Sequence, residues 1–201
     1  MSLVLLLQAS NGVPSLGLGR DGSVVFDSAR IPALDGSRDY RALLDTGLSA
    51  CGATLPELTL IACDTGPGGL GVTRTAAAFA NGLGFALGLP VLSIPAFEAL
   101  GAELDDGTTP VALLRRAARP HVHFGLYRAG KLEHYEHCLE EKAREQLGKL
   151  DDYVLAGNVA VEGAPPPATN RASMATLLRL ALTAPQPAPG ARAHPIVEVL
   201  T

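Results

Sequence analysis

Small and polar residues stand at the ends of two predicted strands, where a phosphate group could bind. Residues 66–71 (GPGGLG) form a glycine-rich turn between an apolar strand and an Ala-rich helix. The backbone amides of such a turn and the N-terminus of the following helix can cradle a phosphate. The turn after the first strand adds side chains that can hydrogen-bond to it. The candidate residues are Ser10, Asn11, Gly66, Gly68 and Gly69. A purely structural tight turn is the alternative.

The same turns lack groups that nucleotide chemistry usually needs. The glycine-rich turn has no Lys-Ser/Thr pair of a P-loop, and although it matches G-x-G-x-x-G, Pro67 interrupts it and no acidic residue follows the next strand. Gln8 ends the first strand, where nucleotide hydrolases and sugar kinases of the actin-like class place a carboxylate. Asp64 could act as an isolated acid, but Asp before glycine is commonly a turn former. We therefore predict no catalytic residue and no cofactor, with ATP at the turn as the alternative.

Four histidines of one predicted hairpin raise the question of a metal site. His121 and His123 share a face of their strand, whereas His134 and His137 fall on opposite faces of the next strand. The four cannot converge on one ion without distortion. We predict that no metal binds and interpret these residues as solvated hairpin positions.

Composition and charge exclude several classes of protein. The 201 residues are 47% hydrophobic and 18% charged, which excludes a disordered chain. A net charge of −4, with scattered basic residues, argues against a stand-alone nucleic-acid binder. Three widely separated cysteines favour a reducing cytoplasm, and the buried-strand Cys63 is interpreted as a small hydrophobe.

Two apolar segments are too short or too interrupted to enter a membrane. The run after Met1 lacks a basic region before it and stops at Gln8, so it is not a signal peptide. The Ala-rich stretch 76–89 contains several glycines and ends before Pro90, short of the roughly 20 apolar residues of a spanning helix. We predict a cytoplasmic protein without a membrane span.

The first half of the sequence predicts a mixed sheet with two helices. Apolar or alternating runs at 3–7, 15–19 and 23–27, separated by turn residues, predict a three-strand meander. A helical pattern at 39–51, with Ser37 as cap and Gly52 as stop, precedes a strand at 58–63. The following turn, Ala-rich helix and strand at 91–94 form a βαβ unit, so part of the sheet is parallel.

The second half repeats this order incompletely after a turn-rich segment at 105–110. It predicts strands at 111–114, 121–127, 132–137 and 153–156, and helices at 139–150 and 173–182. We therefore divide the chain into an N-terminal lobe, 1–104, and a smaller C-terminal lobe, 105–201.

The Ala-rich helix predicts an interaction surface. Thr73, Ala77, Ala80 and Gly84 place small residues three or four apart, which allows another helix to approach closely. Packing on the chain's own sheet is the alternative. A sheet covers only one face of an apolar helix, so the remaining surface predicts either the 39–51 helix beside it, a partner chain, or both.

Residues 55–100, LPELTLIACDTGPGGLGVTRTAAAFANGLGFALGLPVLSIPAFEAL, resemble the bacterial TsaB (YeaZ-type) family, whose pattern leads from a strand through G-P-G-S-F-T-G-L-R into an Ala/Gly-rich helix. Gly66, Pro67, Gly68 and Arg74 fit that pattern without a gap. Outside this stretch the resemblance is one of element order. It implies an α/β, actin-like (ASKHA) fold of two related lobes with mixed sheets and flanking helices.

The resemblance also implies a function. Members of the family are non-catalytic scaffold or regulatory subunits of the tRNA N6-threonylcarbamoyladenosine machinery, which pair through their first two helices with a TsaD-type homologue. A TsaE-type ATPase joins the wider complex, tRNA is contacted only through it, and the subunit alone is expected to form a homodimer. The predicted interface residues here are Tyr40, Leu44, Leu48, Thr73, Arg74, Ala77, Ala80, Leu83 and Gly84.

The sequence departs from the family pattern on its turns. Gln8-Ala9-Ser10 stands where the family has D-T-S, residues 69–72 replace S-F-T-G, and residues 116–118 replace D-A-R. These losses affect the segments that would face a nucleotide. The competing hypothesis is an enzyme of the same fold, a nucleotide-binding ATPase or kinase or a glycoprotease-like hydrolase.

Overall fold

A computed structural model describes residues 2–185, 187, 188 and 190–196. The first lobe is built on a five-stranded sheet in the order β3-β2-β1-β4-β5. Strands β1 and β2 are antiparallel, as are β2 and β3, whereas β4 runs parallel to both β1 and β5. The strands are β1 Leu3–Gln8, β2 Ser15–Arg20, β3 Ser23–Asp27, β4 Leu58–Asp64 and β5 Val91–Ile94.

The second lobe repeats the same strand plan without the fifth strand. Its sheet has the order β8-β7-β6-β9, with an antiparallel meander followed by a parallel pairing of β6 with β9. The strands are β6 Val111–Arg116, β7 His121–Arg128, β8 Lys131–Leu139 and β9 Val154–Gly157. Both lobes thus contain three meander strands, a helix and a parallel strand, as the sequence predicts, and the first lobe adds a further helix and β5.

The helices separate and cover the two sheets. They are α1 Tyr40–Ala50, α2 Leu70–Leu87, α3 Ala96–Leu104, α4 Glu140–Leu147 and α5 Met174–Thr183. One face of the first sheet packs on α1 and α2, and its other face packs on α5. The second sheet packs on α3 through one face and on α4 through the other. The protein therefore has five layers: α1 with α2, the first sheet, α3 with α5, the second sheet, and α4.

Two elements cross the boundary that the sequence predicts at residues 104 and 105. Helix α3 precedes it but packs its Phe97 and Leu100 on the second sheet. Helix α5 follows it but packs its Leu177 and Leu178 on the first sheet. Each sheet is therefore covered in part by a helix from the other side of the predicted boundary. The division of the chain at residues 104 and 105 stays a prediction.

Several element ends differ from the predicted ones. Strand β6 continues to Arg116, because Arg115 and Arg116 pair with His123 and Val122 of β7. Helix α4 ends at Leu147, since Gly148 caps it. The N-cap of α1 is Asp39 and not Ser37, because the Asp39 carboxylate accepts the amide hydrogen of Ala42 at 2.9 Å.

The segment after α5 returns to the first lobe. The amide of Val91 donates to the carbonyl of Ala191 at 3.0 Å, and that of Ile196 donates to Thr65 at 2.8 Å. The Asn81 side chain of α2 both donates to and accepts from the backbone of Ala193. None of the helices in the described part of the chain has the length and apolar character to cross a membrane.

Candidate functional site

Asp64 organises the turns at the carboxyl ends of β1 and β4. Because these strands are parallel neighbours, both ends lie at one edge of the sheet. The Asp64 carboxylate is buried and accepts backbone N–H bonds from Ala9 at 3.3 Å, Ser10 at 3.0 Å and Gly66 at 2.9 Å. It also accepts a hydrogen bond from the Ser10 hydroxyl. This carboxylate therefore holds the two turns together.

Arg115 reaches the same turns from the second sheet. Its side chain is only 1% exposed and donates to the Ser10 Oγ, to the Pro67 carbonyl at 3.1 Å and to the Asn170 carbonyl at 3.0 Å. Burial lowers the pKa of the Arg115 guanidinium, and the negative charge of Asp64 opposes that effect. Its Nε has no hydrogen-bond partner among the described residues.

The glycine-rich turn fits closely against this cluster. Gly66 has φ +91° and Gly68 has φ +156°, conformations that favour glycine. A Cβ at Gly68 would lie 2.0 Å from the Ser10 carbonyl oxygen. The amide of Gly69 donates to that same oxygen at 2.9 Å.

Four of the five candidate phosphate-binding residues therefore come together. The amides of Ser10, Gly66 and Gly69 already donate to oxygens of the chain itself. No hydrogen bond links the Asn11 side chain to these four in the described part of the chain, and that side chain accepts the amide hydrogen of Val13 at 3.2 Å. This arrangement supports the alternative of a structural turn, and phosphate binding at the turn stays a prediction.

A polar pocket of about 270 Å³ lies between the ends of β1 to β3 and the segment that leads into α5. Gln8 lines it from the end of β1 and supplies an amide where a carboxylate would be needed to hold magnesium. The carboxylate of Glu103 accepts hydrogen bonds from the amide and hydroxyl of Ser173, the N-cap of α5. The carboxylate of Asp27 accepts the amide hydrogen of Ala29 and pairs with Arg30. Both acids are thus engaged in structural contacts.

The histidines lie on the strand faces that their spacing predicts, but not all of them are solvated. His134 lies on the opposite face from the other three, as the spacing requires, but His121, His123 and His137 share one face. The ring of His123 is 5.1 Å from that of His137, and its Nδ1 is 3.0 Å from the hydroxyl of Tyr135. The prediction that all are solvated is wrong for His123, which is buried. Across residues 2–185, 187, 188 and 190–196, no three His, Cys, Asp or Glu side chains are placed to hold a metal ion.

Cys63 packs in the first core as a small hydrophobe, as predicted. Burial raises the pKa of its thiol far above the ordinary range, and nearby Asp64 raises it further. The thiol is therefore not poised as a nucleophile.

Seven of the nine predicted interface residues are buried within the chain. They pack in the first core or against its sheet: Tyr40, Leu44, Leu48, Thr73, Ala77, Ala80 and Gly84. A Cβ at Gly84 would lie 2.7 Å from the Val91 side chain, so the small residues let α2 approach its own sheet. The sequence does not show which face of α2 is buried, because the helix is apolar on nearly every side.

The neighbouring face of α1 and α2 is exposed. Arg74 lies on it, and Leu83 lines an apolar groove of about 270 Å³ between the two helices. The groove is lined by Arg41, Leu44, Asp45, Leu55, Ala78, Phe79, Gly82 and Leu83. On the same helix Phe85 is 78% exposed.

Arg115 is the site residue that the sequence analysis did not identify. The only sign in the sequence is that Arg115 directly follows four apolar residues, VALL, in the same strand. An arginine pair next to an expected loop is normally solvated, and so only the three-dimensional contacts reveal this role.

The sequence and the structure of this chain are similar to those of known proteins. Residues 37–185 match the family model described as TsaD: tRNA N6-adenosine threonylcarbamoyltransferase. The structure of YeaZ from Pseudomonas aeruginosa has a TM-score of 0.74 and 20% identity, covering 98% of this chain and 100% of that one. The crystal structure of an uncharacterized protein with similarity to peptidase YEAZ from Pseudomonas aeruginosa has a TM-score of 0.74 and 24% identity, covering 98% and 99%. No curated protein matches the sequence. These similarities confirm the predicted YeaZ-type resemblance and the α/β, actin-like fold of two lobes.

Proposed function

The chain belongs to the TsaD family of tRNA N6-adenosine threonylcarbamoyltransferases, and on this premise we propose that it is a non-catalytic subunit of a tRNA threonylcarbamoyladenosine machinery. It pairs with a TsaD-type homologue and scaffolds that catalytic chain. A TsaE-type ATPase joins the wider assembly, and tRNA is contacted through the complex. In the absence of the homologue, the same surface forms a homodimer.

The hydrogen bonds that join Ser10, Asp64 and Arg115 support a non-catalytic role. The turns that would face a nucleotide are held together by the Ser10 hydroxyl, which donates to Asp64 and accepts from Arg115. Gln8 provides no carboxylate for a metal ion or a water. A ligand that entered between the turns would have to displace a buried arginine.

The observation that carries the pairing proposal is the exposed aromatic ring of Phe85 beside the α1–α2 groove. A large apolar side chain that is 78% exposed next to an apolar groove is typical of a protein–protein contact. The small residues on this face, Ala78 and Gly82, allow a partner helix to approach closely.

The test is co-purification of the tagged protein with the TsaD-type homologue of the same genome, analysed by light scattering. We expect a defined complex for the unaltered chain and none for Gly82→Arg or Phe85→Glu. A Cβ at Gly82 meets nothing within 4 Å, so the arginine fills the groove without disturbing the fold. Burying its charge unpaired in an interface costs on the order of 3 kcal/mol or more, enough to abolish pairing at micromolar concentrations.

Gly148→Arg is the matched control. Gly148 is an exposed helix-cap residue of the second lobe, and a Cβ there makes only ordinary contacts. This variant should pair normally. Undiminished pairing of both α2 variants would reject this surface as the interface, and no complex with the unaltered chain would reject the proposed partner.

The competing enzymatic function is tested by calorimetry with ATP and magnesium. We expect no binding heat and no phosphate release, because the cluster fills the space between the turns. ATP binding and phosphate release by the unaltered chain would favour the nucleotide-dependent enzyme instead.

A further inference from the structure

The contacts of Arg115 join the two lobes through a buried cation. The residue belongs to β6 of the second sheet, whereas Ser10 and Pro67 belong to turns of the first lobe. Its third acceptor, Asn170, lies in the segment that leads from β9 to α5. One guanidinium thus contacts the first lobe at two points and the connecting segment at a third.

The charge of this cation is balanced inside the protein. Asp64 is as deeply buried as Arg115, and the Ser10 hydroxyl bridges them, since it accepts from the guanidinium and donates to the carboxylate. Removing two opposite charges from water is unfavourable unless each is well hydrogen-bonded. Asp64 meets that condition with three backbone amides in addition to Ser10.

Separation of the lobes would break this balance. If the second sheet moved away, Arg115 would lose the Ser10 and Pro67 acceptors together, and Asp64 would lose its counter-charge. Gly68 packs against both Ser10 and Arg115, since a Cβ there would lie 2.0 Å from the Ser10 carbonyl oxygen and 2.9 Å from the Nη1 of Arg115. The closed arrangement is therefore strongly favoured over an open one.

We infer that Arg115 is an internal latch that holds the two lobes in one relative orientation and fills, with the chain's own cation, the space between the strand ends. The lobes do not open and close around a small molecule. The latch also fixes the turn that precedes α2, because Arg115 donates to Pro67 and Gly69 donates to Ser10.

The test combines hydrogen exchange with chemical rescue in the full chain. Arg115→Ala should lower Tm by roughly 10 °C, and should increase amide exchange in the turns at 9–14 and 65–69 of the first lobe as well as in β6. Guanidinium at about 10 mM should recover part of the lost Tm by occupying the vacated space, whereas the same concentration of sodium chloride should not. Arg116→Ala, which removes the exposed neighbour, is the matched control and should show neither effect.

If Arg115→Ala does not fold, Ser10→Ala and Arg115→Lys decide the question. Both keep the charge of residue 115 but remove the bridging hydroxyl or the forked geometry, and both should increase exchange in the same first-lobe turns. An unchanged Tm in Arg115→Ala, absence of rescue, or exchange that rises only within β6 and β7 would overturn the latch. For the two substitute variants, unchanged exchange at 9–14 and 65–69 would overturn it.

Discussion

The carbonyl oxygen of Ser10 occupies the position that any side chain at residue 68 would need. A Cβ built on Gly68 would lie 2.0 Å from that oxygen and 2.9 Å from the Nη1 of Arg115. The Ser10 oxygen belongs to the backbone, so it cannot move without disturbing the turn after β1. Gly68 is thus required by the fold at this point, whether or not a ligand ever binds there.

Gly68→Ala should therefore destabilise the protein. We expect a loss of about 2–4 kcal/mol in the free energy of unfolding, from the close contact together with an unfavourable φ, measured by urea denaturation. Gly71→Ala is the matched control, because a Cβ there meets nothing within 4 Å and the position lies in α2. It should be neutral or stabilise by up to ~1 kcal/mol. Equal stability of the two variants would contradict the close packing of Gly68.

Helix α3 depends on a glycine to reach the second sheet. A Cβ at Gly101 would lie 2.2 Å from the ring of Tyr127. Gly101→Ala should destabilise the protein by about 1–3 kcal/mol, because the helix must move outward or the ring must leave its rotamer. Gly82→Ala, on an exposed helical surface, should be neutral or slightly stabilising. A stabilising Gly101→Ala in thermal denaturation would show that α3 does not pack on Tyr127.

The raised pKa of the Glu98 carboxyl predicts that the stability of the protein changes with pH. Partial burial raises the pKa of this carboxyl, and the hydrogen bond that it accepts from the Leu132 backbone only partly opposes the shift. A raised pKa means that the folded state binds the proton more tightly than the unfolded state. Glu98 therefore lowers stability as pH rises from the ordinary glutamate pKa of about 4.3 through its raised value, and the loss is complete above that value.

Replacing this carboxyl should remove the penalty. Glu98→Gln is expected to have a higher Tm than the unaltered protein at pH 7, and the difference should vanish near pH 4. Glu141→Gln, at an exposed position of α4, controls for the change in net charge. A Glu98→Gln difference in Tm that does not vary with pH would contradict the assigned cause.

One side chain of α2 makes two hydrogen bonds to the segment after α5, in addition to the backbone hydrogen bonds of Ala191 and Ile196. The Asn81 amide donates to the Ala193 carbonyl at 2.9 Å, and its oxygen accepts the Ala193 amide hydrogen at 2.7 Å. Asn81→Leu removes both bonds, worth ~1 kcal/mol each. Trypsin cleavage after the neighbouring Arg192 should accelerate roughly tenfold or more, because it requires local release of this segment. Asn11→Ala is the control and should cleave at the normal rate, while an unchanged rate in Asn81→Leu would show that other contacts hold the segment.

Much of the fold could be predicted because its signals are local. Apolar alternation and turn residues define the meander of β1 to β3, and Gly88 in a left-handed conformation ends α2 where the pattern stops. The end of β6 could not be predicted in this way. Its last two residues are arginines, and only their pairing with β7 extends the strand.

The sequence by itself determined the order of the elements, the two-part repeat and the family, because each depends on residues close together in the chain. The tertiary structure alone decided which face of α2 is buried, since a helix that is apolar on most sides carries no periodic signal to choose one. It alone also decided that Arg115 lies inside. Ser10, 105 positions earlier in the chain, stabilises that burial by bridging Arg115 to the carboxylate of Asp64, and no local pattern records a contact over such a distance.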